Sequence, residues 1–281
     1  MGNKNINVNE NDFRNIDGWF SPEAAGFFAL VDEIQRQNDV RGDIFEIGCY
    51  HGRSTFLLGQ MVRPGEKLGV CDLFDEQEAN VSGSGEGNRD VFMENMKPLT
   101  ENGLELRIFQ GLSQNLTAPK IGENHRFFHI DGGHNADEAL ADLKLAAQAT
   151  IEKGVIVVDD PFRQDWPGVT EALIRFLDEH NDFWPIVVGF NKMILVRENH
   201  ADLYISQLVD EDKREAYGFG HPWRSKKLPF LGRPMRIFYL YSRQTEDGLL
   251  KKYYLTRNRT LSTFERLLLR FGIKILKTLQ F

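Results

Sequence analysis

Residues 43–55 read D-I-F-E-I-G-C-Y-H-G-R-S-T. The apolar run at 44–47 predicts a short strand, Gly48 and Gly52 predict a sharp turn, and Ser54 begins a helix. Glycines allow the backbone to approach a ligand closely, and the free N–H groups of a first helical turn suit polar ligand groups. The segment therefore predicts a nucleotide-sized binding site, although its glycine spacing is not the G-x-G-x-x-G of dinucleotide-binding proteins.

The pattern E-x-G-x-x-x-G-x-S, from Glu46 to Ser54, resembles the first motif of class I S-adenosylmethionine-dependent methyltransferases. The resemblance implies S-adenosylmethionine as cofactor, with Glu46 beneath its methionine end. It also implies that the acid closing the second strand, Asp72, holds the ribose hydroxyls, and that residues after the third strand line the adenine. The cofactor-binding residues expected on this basis are Glu46, Gly48, Gly52, Ser54, Asp72, Ser113 and Asp131.

Apolar strand and helix patterns alternate on both sides of this segment. A helix beginning at Ser21-Pro22 is expected to precede the first strand, because serine caps helices and proline suits their first turn. Later strands are predicted at 67–71, 104–109, 126–130 and 154–158, with helices at 54–62, 88–100, 136–152 and 167–181. Such alternation predicts right-handed βαβ units and a parallel sheet with helices on both faces. Residues 184–189 and 192–197 predict an antiparallel hairpin that turns at Phe190-Asn191. The class I methyltransferase sheet ends in the same way, so the resemblance covers residues 40–198.

The predicted organisation is a mobile leader at 1–19, a Rossmann-like methyltransferase domain at 20–198 and a C-terminal extension at 199–281. Residues 76–88, rich in Gly, Ser and acids, predict a lid or a solvated surface loop. In the extension, 221–234 is expected to be a loop and 236–241 a strand. Residues 263–281 predict a basic amphipathic helix that docks on protein or lies on a membrane surface.

Composition limits the classes of partner and of compartment. A net charge of −7 argues against nucleic acid as a partner. The two cysteines, Cys49 and Cys71, are expected to be buried thiols rather than a disulfide. No apolar signal-peptide core or membrane span is found in the sequence, so a cytoplasmic protein is expected, with peripheral membrane contact through the last helix as one alternative. A homo-oligomer is a further expectation.

Acids follow the predicted strands at the edge where open α/β sheets bind ligands. Asp131 ends the fourth strand, and Asp159 and Asp160 end the fifth. Adjacent strand ends lie about 5 Å apart, so three oxygen ligands could converge on Mg²⁺ or another divalent cation. The alternative is that these aspartates only begin loops and cap helices.

The pattern I-D-G-x-H-x-x-x-x-x-x-x-D-L, from Ile130 to Leu143, resembles metal-dependent O-methyltransferases of the macrocin and rhamnosyl type. The resemblance implies that Asp131, Asp159 and Asp160 bind Mg²⁺ and that His134 is the general base. It also implies a sugar hydroxyl of a natural product or glycan as acceptor. Among the other histidines, His129 is expected to be packed in the core and His51 to contact cofactor or backbone. Phe162 and Trp166 are expected either to wall the acceptor site or to pack in the core.

Three other functions remain open. A catechol-like phenol could chelate the same metal through its vicinal oxygens. The chain could instead be a non-catalytic, cofactor-binding subunit of a biosynthetic complex, although intact acids and His134 argue against this. A nicotinamide-dependent oxidoreductase is disfavoured by the glycine spacing.

Overall fold

A nine-stranded mixed sheet organises residues 13–240, the part of the chain described by the computed structural model. The strands are β1 Asp43–Ile47, β2 Leu68–Asp72, β3 Leu106–Gln110, β4 His125–Ile130, β5 Thr150–Asp159, β6 Phe183–Gly189, β7 Lys192–Arg197, β8 Trp223–Phe230 and β9 Arg233–Leu240. The helices are α1 Pro22–Gln37, α2 Arg53–Met61, α3 Arg89–Thr100, α4 Ala118–Ile121, α5 Ala136–Ala149, α6 Pro167–Glu179, α7 Ala201–Leu208 and α8 Glu211–Ala216.

The strand order is β3-β2-β1-β4-β5-β7-β6-β9-β8. The strands β3, β2, β1, β4 and β5 pair in parallel, whereas β7 is antiparallel to both β5 and β6. The predicted Rossmann-like methyltransferase sheet with its terminal antiparallel hairpin is therefore confirmed. The order reverses between β1 and β4, which is where open α/β sheets bind their ligands.

Alternate residues of the central strands face two apolar clusters, one on each side of the sheet. Phe127 of β4 belongs to the cluster that contains the apolar residues of α1 and α2, and its neighbour Phe128 to the cluster that contains those of α5 and α6. This alternation follows from the two-residue period of a strand. Because helices cover both faces, the edge formed by the carboxyl ends of the strands remains available for a ligand.

Most predicted elements are confirmed within two residues, including the start of α1. The side chain of Ser21 accepts a hydrogen bond from the backbone N–H of Ala24, and Pro22 occupies the first helical position. The predicted helix at 136–152 is three residues too long, because α5 ends at Ala149 and the β-branched residues Thr150 and Ile151 already belong to β5.

The predicted loop at 221–234 is wrong, since it contains the strand β8 and the turn to β9. Intermediate and exposed positions mostly alternate along β8, and Pro229 interrupts its polar face. The turn passes through Leu231 and Gly232, with φ of 48° and 76°, a left-handed pair that matches the twist of a hairpin. The predicted strand at 236–241 is confirmed as far as residue 240.

Both predicted domain boundaries fall inside packed structure. Phe13 and Ile16 are buried, so the expected leader contributes two side chains to the core. Beyond residue 198, Tyr204 of α7 is buried and donates a hydrogen bond to the carbonyl of Lys153. One compact unit contains, of the described residues, 13–221 and 225–238.

A second unit contains, of the described residues, only 222–224 and 239–240. The predicted leader at 1–12 and the amphipathic helix at 263–281 lie outside the described residues. Within 13–240, no helix is long and apolar enough to cross a membrane.

Candidate active site

A cavity of about 350 Å³ opens at the carboxyl ends of β1, β2, β4 and β5. Its size falls in the range of small-molecule sites. Much of the segment 77–87 lines the cavity, and within it Val81 is 77% exposed. The segment predicted as a lid or surface loop therefore forms one wall of the cavity.

Asp72 lies in the cavity wall at the end of β2. Its Oδ2 atom accepts hydrogen bonds from the backbone N–H groups of Cys49, at 2.7 Å, and Tyr50, at 2.8 Å. Its Oδ1 atom accepts one from Phe74 N, at 2.7 Å. A carboxylate has about four acceptor positions, and Asp72 uses three of them to fix the glycine turn.

Gly48 begins the turn after β1 and also lines the cavity. Its φ is +79°, and a Cβ atom there would lie 1.8 Å from the carbonyl oxygen of Asp131. The backbone N–H of Asp131 in turn donates to Ile47 O, at 2.8 Å. Glycine is thus required at this position to bring the β1 and β4 loops together.

Three residues that the resemblance assigned to the cofactor lie outside the cavity lining: Glu46, Gly52 and Ser54. Glu46 is fully buried because its position in β1 points into the face covered by α1 and α2. Its Oε1 atom accepts from Ser54 Oγ, at 2.6 Å, and Thr55 Oγ1 donates to Oε2. Gly52 has φ of +93° and is packed against Phe92 and Met96 of α3. These residues shape the turn from within the protein.

Ser113 follows β3, lines the cavity and is buried. It donates a hydrogen bond to the carboxyl group of Asp142 in α5. Burial raises the pKa of Asp142 to about 7, although the hydrogen bond from Ser113 and the charge of Glu138 also act on it, in opposite directions. Asp142, the last acid of the pattern from Ile130 to Leu143, thus contacts the loop that follows β3.

The three predicted metal ligands, Asp131, Asp159 and Asp160, all line the cavity. Asn191, in the turn between β6 and β7, connects two of them. Its Nδ2 atom donates to Asp159 Oδ1, at 3.0 Å, and also to Asp160 Oδ1. The turn residues Phe190 and Asn191 both have positive φ, of 56° and 64°, as a tight two-residue hairpin requires.

Lys192 is a member of this cluster that the sequence did not indicate. It is buried, and its Nζ atom forms an ion pair with Asp159 Oδ2. The pairing follows from the antiparallel register, in which Lys192 lies opposite Asp159. The available signal was a single lysine at the head of the otherwise apolar strand K-M-I-L-V.

Charge within the cluster is unevenly distributed. Burial and the neighbouring charge of Asp159 raise the pKa of Asp131 well above its ordinary value. Burial alone would also raise the pKa of Asp160, but hydrogen bonds from His134 and Asn191 and the charge of Arg163 bring it below its ordinary value. Burial lowers the pKa of Lys192, and the acids Asp159 and Asp131 more than offset this, so the pKa is raised.

Two overlapping groups of potential metal ligands occur among residues 13–240. One contains His129, Asp131 and Asp159, and the other contains Asp131, His134 and Asp160, with the ligand atoms of each group within 4.8 Å of one another. Three carboxylates and the ammonium of Lys192 leave two negative charges when the acids are ionised. This donor set and charge fit a divalent cation.

His134 lies beside the acids, just before α5, and its side chain is 9% exposed. Its Nε2 atom is 3.3 Å from Asp160 Oδ2, and its Nδ1 atom is 3.1 Å from Ser84 Oγ. An ionised carboxylate only accepts hydrogen bonds, so Nε2 carries a proton towards Asp160. Nδ1 then has the free lone pair and accepts from the hydroxyl of Ser84.

Trp166 lines the cavity and stacks on His134, with ring centroids 4.3 Å apart and ring planes at 26°. Phe162 lies elsewhere, because it is 47% exposed and packs on Phe230 instead of the cavity. Of the two aromatic residues considered for an acceptor wall, the structure brings only Trp166 to the site. Its indole restricts the orientations of the imidazole.

The remaining residues considered from the sequence are two histidines and two cysteines. His129 is fully buried. His51 stacks on Tyr50, with ring centroids 3.8 Å apart, and its carbonyl accepts from Asn95. Cys49 and Cys71 are buried free thiols, as expected.

Comparisons with known proteins agree with this geometry. The sequence model of a family described as a methyltransferase domain matches residues 45–161. Similar solved structures include the O-methyltransferase NovP, at 14% identity over 62% of this chain and 80% of that chain, with a TM-score of 0.53. CalS11, a TDP-rhamnose 3′-O-methyltransferase of calicheamicin biosynthesis, has 16% identity over 61% and 78% of the two chains, with a TM-score of 0.47.

An O-methyltransferase from Bacillus cereus, solved in complex with SAH, has 17% identity over 67% of this chain and 86% of that chain, with a TM-score of 0.47. No curated protein sequence matches the chain. At such identities the structural likeness to NovP shows a shared fold, and the match over 45–161 covers β1 to β5, the strands whose ends form the cavity. Residues 45–161 therefore match a methyltransferase domain, and the chain shares its fold with the O-methyltransferase NovP.

Proposed function

We propose that this enzyme is a Mg²⁺-dependent O-methyltransferase that moves the methyl group of S-adenosylmethionine to a hydroxyl of a sugar-containing acceptor, such as a glycan or natural product. The observation that carries the proposal is the position of His134. This histidine contacts Asp160 at the acidic cluster and lines the same cavity as Asp72. A proton acceptor, a cation site and a ribose-binding acid are thus available in one cavity.

The cofactor end of the site is formed by Gly48, Asp72 and Ser113. The turn at Gly48 presents backbone to the ligand, and Asp72 has one acceptor position beyond its three backbone hydrogen bonds. Asp131 lies between this end and the cation site. The β1 turn and Asp131 would hold the methionine part of the cofactor.

The acceptor end is formed by His134 and the loop that carries Ser84. The acceptor hydroxyl takes the place of Ser84 Oγ as hydrogen-bond donor to Nδ1 of His134. Nδ1 then receives the proton as the oxygen bonds to the methyl carbon. The bond between that carbon and the sulfonium sulfur breaks and leaves S-adenosylhomocysteine, while Asp160 stabilises the imidazolium through Nε2. Trp166 keeps the ring in the plane that this transfer needs.

A divalent cation, when bound by Asp131, Asp159 and Asp160, would lower the pKa of the acceptor hydroxyl and orient its oxygen. A sugar hydroxyl needs such assistance, because its own pKa is far above neutrality. The residues fit this role, since three ionised carboxylates and the ammonium of Lys192 together carry two negative charges. The I-D-G-x-H pattern and the relation to an O-methyltransferase fold support the same assignment.

The test is transfer of a labelled methyl group from S-adenosylmethionine to a panel of sugar nucleotides, glycosides and catechols, with Mg²⁺ or with EDTA. Methylation of a sugar hydroxyl that requires the cation supports the proposal. If only catechols are methylated, the acceptor is a phenol and not a sugar. Cofactor binding without turnover on any member of a broad panel would favour a non-catalytic subunit.

A further inference from the structure

The fully buried His129 of β4 has one ring nitrogen with a partner and one without. Nδ1 lies 2.8 Å from Glu46 Oε1, whereas Nε2 has no hydrogen-bond partner. His129 is also in the same group as the carboxylate oxygens of Asp131 and Asp159, all within 4.8 Å of one another. One ring nitrogen of His129 is therefore within this distance of the two acids, and Nε2 is the nitrogen that Glu46 leaves without a partner.

We propose that His129 Nε2 is a direct ligand of the bound cation, together with Asp131 and Asp159, and that the site prefers a first-row transition ion such as Mn²⁺ to Mg²⁺. This inference refines the cation dependence of the proposed function, on which it rests. It adds a nitrogen ligand to a site that the three aspartates would otherwise build from oxygen alone.

The hydrogen bonds of Glu46 fix the tautomer of His129. Glu46 accepts from the hydroxyls of Ser54 and Thr55, and it also accepts from His129 Nδ1. With the proton on Nδ1, the lone pair is on Nε2. A carboxylate that orients a histidine through its second nitrogen is the usual support of a metal-bound imidazole.

A proton on Nε2 would have no acceptor among the described residues. A buried polar atom without a partner is rare in folded proteins. A cation supplies the partner that the lone pair lacks. Solvent does not supply this partner either, since His129 is 0% exposed.

The strand register places the three ligands on one face of the sheet. His129 pairs with Val157 of β5, so Asp131 and Asp159 each follow two residues later on the same face. Ligand atoms about 2.1 Å from a metal lie at most about 4.2 Å apart. The three ligand atoms, which lie within 4.8 Å of one another, therefore have to move closer together to share one cation.

The donor set decides the metal preference. Mg²⁺ binds oxygen ligands, whereas imidazole suits transition ions, and affinity for mixed nitrogen and oxygen sites rises along the first row. Lys192 already occupies Asp159 Oδ2 and remains beside the cation as a fixed positive charge. Three ionised acids and one lysine leave two negative charges, and a neutral imidazole does not change this sum. The charge of the site therefore matches one divalent ion.

The experiment uses the full chain, freed of metal by a chelator and loaded with Mn²⁺. Pulsed electron paramagnetic resonance detects a directly coordinated ¹⁴N, and calorimetry gives the affinities for Mn²⁺ and Mg²⁺. We expect ¹⁴N coupling in the wild type and at least about tenfold tighter binding of Mn²⁺ than of Mg²⁺. His129→Gln should abolish the coupling and weaken Mn²⁺ binding about 10–100-fold.

Two matched variants control the assignment. His125→Gln changes another buried histidine of β4, whose Nδ1 lies 3.2 Å from Ala149 O, and should keep the coupling. His134→Gln removes the histidine of the second group and should keep it as well. If His129→Gln does not fold, coupling that survives His134→Gln still supports the proposal.

Bound Mn²⁺ without ¹⁴N coupling in the wild type would overturn the inference and leave a Mg²⁺-dependent enzyme intact. Coupling lost in His134→Gln but retained in His129→Gln would also overturn it. The inference would also be overturned if the protein bound neither Mn²⁺ nor Mg²⁺. The proposed function is judged separately, by methyl transfer with Mg²⁺ or with EDTA.

Discussion

The Nε2 atom of His134 lies 3.3 Å from Oδ2 of Asp160, while its Nδ1 atom faces Ser84 in the loop across the cavity. The buried carboxylate therefore fixes one imidazole nitrogen and leaves the other towards Ser84. In the proposed mechanism, Asp160 would orient the ring and Nδ1 would accept the proton.

His134→Ala should lower the rate of methyl transfer about 10²–10⁴-fold, because the acceptor hydroxyl loses its base. Affinity for S-adenosylmethionine should remain within about twofold, since Asp72 and Gly48 are unchanged. Steady-state kinetics and calorimetry measure the two quantities, with the exposed His221→Ala as control. A loss of cofactor affinity at unchanged turnover would contradict the role of His134 as base.

Asp72→Ala should weaken S-adenosylmethionine binding by about 1.5–3 kcal/mol, the scale of charge-assisted hydrogen bonds. It should also lower the free energy of unfolding, because the N–H groups of Cys49, Tyr50 and Phe74 lose their acceptor. Asp75→Ala, an exposed acid outside the cavity, is the control. Unchanged cofactor affinity in a folded Asp72 variant would remove this residue from the ribose site.

Lys192→Met should destabilise the cation-free protein by about 3–5 kcal/mol, because Asp159 would remain as a buried charge without its partner. A saturating divalent cation should recover part of this loss. Urea unfolding with and without the cation gives both values, and Lys226→Met on exposed β8 is the control. If Lys192→Met and the wild type are equally stable without cation, Lys192 does not offset the negative charge of the acids.

The titration of Asp142 predicts a pH dependence of stability. Between the unfolded value of 3.8 and the folded value of about 7, the folded state keeps a proton that the unfolded state releases. Raising the pH through this window therefore destabilises the protein, by at most about 4 kcal/mol. The asparagine of Asp142→Asn cannot ionise, so the variant does not lose stability through this titration. The free energy of unfolding of the variant minus that of the wild type should therefore increase from about pH 4 to about pH 7 and stay constant above.

Urea unfolding of wild type and Asp142→Asn at pH 5, 6, 7 and 8 measures this difference. Asp178→Asn, an exposed aspartate on α6, is the control and should follow the wild type at every pH. A difference between wild type and Asp142→Asn that does not change with pH would show that Asp142 titrates as in the unfolded chain.

The sequence predicted the sheet and the acids at its edge because both depend on local patterns. Strand and helix periods locate Asp72, Asp131 and Asp159 at strand ends, and parallel pairing then brings them together. Lys192 was missed because its place depends on the register of β7 against β5, which no local pattern specifies.

Two other differences between the prediction and the structure come from the direction of a side chain and from an edge strand. Glu46 belongs to the motif, yet it points to the covered face of β1 and binds His129 instead of the cavity. The strand β8 was read as loop because charged residues and Pro229 resemble a turn, although an edge strand tolerates both.

Methyl transfer by the metal-stripped enzyme, before and after addition of a divalent cation, tests the account most directly. We expect transfer from S-adenosylmethionine to a sugar hydroxyl to stop in excess EDTA and to return when Mg²⁺ or Mn²⁺ is added. Asp131→Asn should bind the cofactor but stay inactive with either ion, because Asp131 belongs to both groups of potential ligands. Full activity in excess EDTA, or wild-type turnover by Asp131→Asn, would contradict a cation-assisted mechanism.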